Sequence, residues 1–334
     1  ILVLRFFNKH LGLVVAYTMS AGCSSEAPAG PIDSQVTPVR FALAAVQFPP
    51  DIPVAHGVSL VDFDDDGQDD IALATTHSVV LLRRAPEGYD RQDVAMPGAM
   101  GLVWADIDDD GHLELLVLRR DRVSGKADTF RRPALLRLID GTWKDIAVES
   151  GLTMAGDWAG GAFGDLDGDG DLDLVLSGGT IEQKNPPHRG RKGAGSRPPQ
   201  GDLGARGSPN RVLFNDGQGS LLDVSDSVGC VGPPDGEGFS VALWDFDMDG
   251  DQDVFWTNDF RADTLCRNNG SGHFEDVSLP AMGLLGATGA MGAAVGDLDG
   301  DACPELYSTN AGRDLILSPS GGLRVDSAYD SLMA

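Results

Sequence analysis

The chain has 334 residues, 42% of them hydrophobic, and 44 are glycine. That is enough for one large or two ordinary domains, with too many turn-formers for a helical bundle. Its formal charge of −26 would repel phosphates, which argues against a nucleic-acid partner. Four cysteines are too few for a disulfide scaffold; Cys230, Cys266 and Cys303 allow one disulfide or three buried thiols.

Arg5 and Lys9 precede an apolar run, Leu11 to Met19, and then Ser20, Ala21, Gly22 and Cys23. A basic start, a short apolar stretch and small residues before a cut site predict a secretory signal over residues 1–22. The run is too short for a comfortable membrane span. Cys23 after Ala-Gly resembles a bacterial lipobox, which implies lipidation at Cys23 and a cell-surface or periplasmic lipoprotein, otherwise a secreted protein. On this reading the only membrane contact is the lipid anchor. Residues 23–40 read as a flexible tether, and residues 41–334 as the folded domain.

The negative charge is concentrated. Five windows, 62–70, 106–114, 165–173, 245–253 and 297–305, hold 25 of the 51 acidic residues and no Lys or Arg. They align as D-x-D-x-D-G-x-x-[DE]. The first has Asp62, Asp64, Asp66, Gly67, Gln68 and Asp70. The second has Asp106, Asp108, Asp110, Gly111, His112 and Glu114. The third has Asp165, Asp167, Asp169, Gly170, Asp171 and Asp173, and the fourth Asp245, Asp247, Asp249, Gly250, Asp251 and Asp253. The fifth has Asp297, Asp299, Asp301, Cys303 and Glu305, with Ala302 in place of glycine and Pro304 at position 8.

The loop starts lie 44, 59, 80 and 52 residues apart. The longest gap contains residues 182–209, Pro-, Gly- and Lys/Arg-rich without apolar periodicity, expected to be a disordered basic surface insertion. Each unit repeats the same parts. A strand of small and apolar residues leads into the loop (Gly57–Val61, Gly101–Ala105, Gly160–Gly164, Ser240–Trp244, Gly292–Gly296). An apolar run leaves it (Ile71–Ala74, Leu115–Leu118, Leu174–Leu176, Val254–Trp256, Leu306–Tyr307). A third strand and a Gly-containing turn lead to a fourth, such as Leu221–Val224 or Phe274–Val277. Four short strands repeated at about 50 residues predict an all-β fold, a β-propeller of four-stranded blades. Five repeats are visible, as a closed ring of five or part of a larger ring. Residues 39–54 carry strand-like pieces that could complete the last blade.

Carboxylates this dense repel one another unless a cation sits between them. A hard cation such as calcium takes six to eight oxygens. Positions 1, 3 and 5 aim carboxylates at one centre, position 7 adds a backbone carbonyl, glycine at position 6 permits the turn, and the acid at position 9 closes the cage. At position 7, Gln68, His112, Asp171, Asp251 and Cys303 would serve through main chain, with the His112 ring facing solvent. The all-oxygen set disfavours zinc and copper, and magnesium would keep more water. An EF-hand needs an acid at position 12, where Leu73, Val117, Leu176, Trp256 and Ser308 stand. Up to five calcium ions are expected, the fifth held more weakly.

These loops resemble FG-GAP/VCBS repeats, as in the integrin alpha-subunit propeller. Thr264–Ser278 and Asn210–Ser225 are similar to the bacterial branch related to cartilage acidic protein. The resemblance covers roughly residues 55–328 and implies calcium-binding blades, often seven in such propellers. It implies no particular ligand.

The motifs H-E-x-x-H, G-x-S-x-G, the Walker loop and a strand-to-helix G-x-G-x-x-G are absent from the sequence, and no catalytic or organic-cofactor residues are assigned. Trp104, Trp143, Trp158, Trp244 and Trp256 lie in or beside strands and are expected in the core. The sequence favours an exported, non-enzymatic interaction module for a protein or glycan. A propeller supporting an extracellular polysaccharide hydrolase or lyase is the alternative, and a purely structural envelope component a third reading.

Overall fold

The computed structural model describes residues 49, 51–120, 131–179, 208–234, 238–259, 261–279, 289–298, 302–310 and 314–319, with the backbone of 324–327. Residues 1–22, read above as a signal, Cys23 and residues 24–40, read as a tether, lie outside the described residues. So do nearly all of the basic insertion, residues 39–48, Asp299 and Asp301. Residues 51–54 are described and form no strand.

The described residues form five four-stranded antiparallel sheets, each a simple meander. Blade 1 comprises β1 (Ala55–Val61), β2 (Asp70–Thr75), β3 (Ser78–Ala85) and β4 (Gly88–Ala95). Blade 2 comprises β5 (Ala99–Ala105), β6 (Glu114–Arg119), β7 (Ala134–Ile139) and β8 (Thr142–Asp145). Blade 3 comprises β9 (Trp158–Gly164), β10 (Asp173–Gly178), β11 (Arg211–Asn215) and β12 (Leu221–Asp223). Blade 4 comprises β13 (Gly238–Trp244), β14 (Asp253–Asn258), β15 (Thr264–Arg267) and β16 (Glu275–Asp276). Blade 5 comprises β17 (Ala290–Gly296), β18 (Glu305–Asn310), β19 (Leu315–Ser318) and β20 (Arg324–Ser327). First strands of consecutive blades stand side by side, β1 by β5, β5 by β9, β9 by β13 and β13 by β17. This is propeller architecture.

The core lies between blades, and strand alternation explains how one short strand serves two interfaces. In β6, Leu116 and Leu118 pack toward blade 3 with Trp158, Phe163 and Leu213. The intervening Leu115 and Val117 pack toward blade 1 with Ala72, Val79 and Leu81. The pattern recurs between blades 3 and 4, around Val175, Val254 and Trp256, and between blades 4 and 5, around Phe255, Leu306 and Leu317. A strand buried on both faces reads as an unbroken apolar run, which is what the sequence has after every acidic loop. Of the five tryptophans, Trp143, Trp158, Trp244 and Trp256 are buried, and half-buried Trp104 stacks on Phe63 of the preceding blade. The terminal inner strands differ: Val58 and Leu60 on β1, and Met291 on β17, are exposed.

Connections between blades are also regular. The chain leaving blade 2 accepts the Leu221 N–H at Ser150 O, and the chain leaving blade 3 accepts the Phe274 N–H at Val228 O. Each connection therefore touches the outer strand of the next blade before turning inward. In the second connection Cys230 is disulfide-bonded to Cys266 of β15, with Cα atoms 5.7 Å apart.

Small residues on the inner strands permit close approach. A Cβ on Gly57 would lie 2.6 Å from Met100 O, and one on Gly160 would lie 2.9 Å from Ser240 Cα. These contacts are with main chain, which cannot swing aside. Gly160→Val is therefore expected to destabilise the fold by about 1–3 kcal/mol in denaturant titration. Gly296→Ala, where a Cβ would meet nothing within 4 Å, should stay within about 0.5 kcal/mol of the parent.

Candidate metal centre

Each acidic loop joins the first strand of a blade to the second. Its curl is held by its own carboxylates. The position-1 aspartate accepts N–H bonds from further round the turn: Asp62 from Asp66 and Gly67, at 3.1 and 2.7 Å, and Asp106 from Asp110 and Gly111, at 3.1 and 2.8 Å. Asp165 accepts from Gly168 and Gly170, and Asp245 from Asp249 and Gly250. The position-5 aspartate caps position 7, with Asp66, Asp110, Asp169 and Asp249 accepting from Gln68, His112, Asp171 and Asp251 at 2.8–3.1 Å. The His112 ring is exposed and lies 3.1 Å from Asp65 of the preceding loop.

In loops 1 to 4 the backbone turns left-handed twice, and the described part of loop 5 does so at position 6. At position 6 the residues are Gly67, Gly111, Gly170 and Gly250, and in loop 5 Ala302, at φ 67°. At position 4 they are Asp65, Asp109, Gly168 and Met248. Sequence reading anticipated the first and missed the second, because position 4 has no common residue type.

The position-9 acid is the buried one. Asp70, Glu114, Asp173 and Asp253 are fully buried and Glu305 nearly so. One oxygen accepts the N–H of loop position 2: from Phe63 at 3.4 Å, Ile107 at 3.1 Å, Leu166 at 2.8 Å, Phe246 at 2.9 Å and Leu298 at 2.8 Å. The other accepts from the third strand or the residue just past it, from Arg84 N onto Asp70, Asn215 N onto Asp173 and Asn268 N onto Asp253, at 2.6–2.8 Å. Glu114 instead takes the Arg137 Nε–H at 2.7 Å.

Among the described residues, four groups of carboxylates bring three ligand atoms within 4.8 Å of one another: Asp62, Asp64 and Asp66; Asp106, Asp108 and Glu114; Asp165, Asp167 and Asp173; Asp245, Asp247 and Asp253. Positions 1 and 3 thus converge in loops 1 to 4, joined by position 5 in the first loop and position 9 in the others. Asp110, Asp169 and Asp249 fall outside these groups and serve the turn, as does Asp70, which pins the loop through its two N–H bonds. Position 7 bonds through its N–H as described, and its carbonyl was the ligand anticipated there. In loop 5, Asp297 accepts from Ala302 at 3.1 Å, so the described part of that loop keeps the same curl. Within these groups, Asp64 Oδ1 and Asp108 Oδ1 are buried without a hydrogen-bond partner. A buried acceptor left unmade is costly, and a hard cation at the focus of the group would satisfy it. The residues fit an oxygen-liganded cation.

Neighbouring loops are tied together by two asparagines that sequence reading did not single out. Asn215 Nδ2 donates to Ile107 O of loop 2 at 2.7 Å and to Leu172 O of loop 3 at 3.1 Å. Asn268 Nδ2 donates to Leu166 O of loop 3 at 2.7 Å and to Gln252 O of loop 4 at 3.0 Å. The available signal was their recurrence, each the first residue of an Asn-x-Gly turn at the end of a third strand.

A family model for the FG-GAP-like repeat matches residues 55–117 and 245–308, which span β1 to β6 and the fourth loop to β18. The chain carries FG-GAP-like repeats in these two regions. No curated protein matches it. Among solved structures, this chain is similar to an Agrocybe aegerita lectin described as recognising non-reducing terminal N-acetylglucosamine, at 18% identity and TM-score 0.43, over 81% of this chain and 65% of the lectin. It is also similar to the V. cholerae biofilm matrix protein Bap1, at 16% identity and TM-score 0.40, over 80% of this chain and 38% of Bap1. AofleA from Arthrobotrys oligospora aligns at 10% identity and TM-score 0.41, over 81% and 70% of the two chains. The chain spans less than two thirds of the first two. Among the described residues no helix is long and apolar enough to cross a membrane.

The loops carry unrelieved repulsion. Burial pushes the carboxyl of Asp173 up to about 7 and that of Asp253 up to about 8, against the two backbone N–H bonds each accepts. Burial raises Asp167 and Asp247 as well, aided by the aspartate two residues on. Outside the loops, burial raises Asp263 to about 7. A folded-state pKa above the unfolded value of about 3.8–4 means that the folded protein holds more protons between those values. Stability of the metal-free protein therefore falls as pH rises from 5 to 8, read as a falling melting temperature, and added calcium should flatten that slope. Separately, Ala302→Gly should raise stability by up to about 1 kcal/mol, since left-handed backbone costs a residue with a Cβ about that much, as measured by denaturant unfolding.

Proposed function

We propose that this chain is an exported, calcium-binding β-propeller that acts as a non-enzymatic interaction module for a protein or glycan at the cell surface. The observation that carries the metal reading is the convergence of Asp165, Asp167 and Asp173, with the equivalent residues of the other loops. The donors are all oxygen, the choice of a hard cation, and three carboxylates per group favour calcium over the more hydrated magnesium. Asp106, Asp108 and Glu114, and Asp245, Asp247 and Asp253, would hold further ions, with Asp62, Asp64 and Asp66 in the first loop. Bound calcium would supply the counter-charge that lets these carboxylates stay ionised together. A full set of five divalent ions would offset 10 of the 26 negative charges.

Export is supported by the N-terminal pattern and by the Cys230–Cys266 disulfide, a bond that persists in oxidising compartments. A lipid on Cys23 would hold the propeller at the membrane; without it the protein is secreted. Extracellular calcium modules commonly bind at about 10⁻⁴–10⁻³ M, which suits that location. The non-enzymatic reading is supported by the engagement of the loop carboxylates in holding turns and aiming at a cation, so they are not poised as an acid–base pair.

Calcium titrated into metal-free protein should raise the melting temperature and protease resistance. Asp167→Ala should lower the ion count by one in native mass measurement. An unchanged melt across the titration would overturn the metal reading. Binding to a glycan array in calcium, lost in chelator, is the expected outcome for the module reading; turnover of a polysaccharide by the purified propeller would overturn it.

A further inference from the structure

The repeat has an unequal feature beside its metal loops. In every blade the third strand pairs with the second, and the residue after the partner of the first apolar position faces the loop's closing acid. The pairs Ile71↔Leu82, Leu115↔Leu136, Leu174↔Leu213, Val254↔Cys266 and Leu306↔Leu317 put Arg83, Arg137, Phe214, Arg267 and Ser318 at that place. The three arginines are used differently. Arg83 lies 2.6 Å from Asp90 and only reaches to 3.7 Å of Asp64, and its side chain is half exposed. Arg267 bonds Glu275 at 2.7 Å. Arg137 bonds into the loop: its Nη2 is 2.6 Å from Asp108 Oδ2 and its Nε is 2.7 Å from Glu114 Oε1. Both partners belong to the second carboxylate group. The longer Glu114 makes this possible, since it takes the guanidinium where the aspartates of loops 1, 3 and 4 take a backbone N–H.

We propose that Arg137 is a built-in counter-cation for the second loop, which holds that loop closed without metal and sets it as a weak calcium site, while the third loop, with Phe214 in the same place, depends on the ion. The inference rests on the metal reading above. A guanidinium and a divalent ion sharing one carboxylate repel each other, so the ion binds Asp108 against an existing positive charge. Asp108 Oδ1, buried and without a hydrogen-bond partner, remains open to the ion, so the site is weakened but not abolished. In the third loop no side-chain cation is paired with Asp165, Asp167 or Asp173 among the described ion pairs, so a bound metal would be their counter-charge. The blades would then fill in order as calcium rises, the third before the second.

The test is calorimetric titration of calcium chloride into the metal-free full-length protein and its variants. Wild type should show weak sites whose number Asp108→Asn lowers by one and Asp167→Ala leaves unchanged. Arg137→Met should tighten the site lost in Asp108→Asn by about tenfold or more, a conservative reading of removing one charge at contact distance, and lower the melting temperature in metal-free buffer but not in saturating calcium. Arg137→Lys, which keeps the charge, should keep that site weak. If Arg137→Met does not fold, Arg137→Gln provides the neutral comparison and should tighten binding equally. Wild type that binds calcium with an isotherm unaltered by Arg137→Met or Arg137→Gln would overturn the counter-cation role while leaving the metal reading intact. Wild type that binds no calcium would overturn both.

Discussion

The constraint on which the structure depends is the burial of one carboxylate per blade where the first loop meets the second strand. Asp70, Glu114, Asp173, Asp253 and Glu305 sit in an apolar wall, and each accepts the N–H of the second residue of its own loop. A buried ionised group is tolerated only when its hydrogen bonds are made. The bond fixes the loop's first residues against its last, and so sets where the other carboxylates aim. For Asp173 and Asp253 those bonds do not fully offset desolvation, and the excess is stored beside the proposed ion.

The same short segment also sets the stacking of blades. The residue whose N–H is captured points its side chain at the next blade. Phe63 packs on Trp104 and Trp143 of blade 2, Ile107 joins the core shared with blade 3, and Leu166 the core shared with blade 4. Phe246 does so toward blade 5. In blade 5 the equivalent Leu298 is exposed. Loop shape and blade packing are thus one construction, reinforced across blades by the Asn215 and Asn268 amides. Repeat proteins gain stability from nearest-neighbour interfaces, and here those interfaces run through the acidic loops.

Much of this was legible in the sequence because the signals are local. The loop spacing, the glycine at position 6 and the apolar run after each loop all fall within about fifteen residues, and together they give the strand order within a blade. What escaped depends on partners far along the chain or on backbone shape without a residue signature. Asp173 and Asn215 are 42 residues apart, so the closing acid read simply as a ligand. Arg137 could be placed on a strand but not over Glu114 until the register was known. Met248 turns left-handed at a position where its neighbours in the repeat use Asp or Gly, which no propensity suggests. The cysteine pairing was open for the same reason, since choosing a partner requires knowing which connection lies against which outer strand.

The Cys230–Cys266 bridge closes a loop over a sequence separation of 36, enclosing all of β13, the fourth acidic loop and β14. A protease that nicks the chain anywhere inside that interval leaves both fragments covalently joined. The fourth blade can be cut without being shed, and only reductant would release the halves from each other.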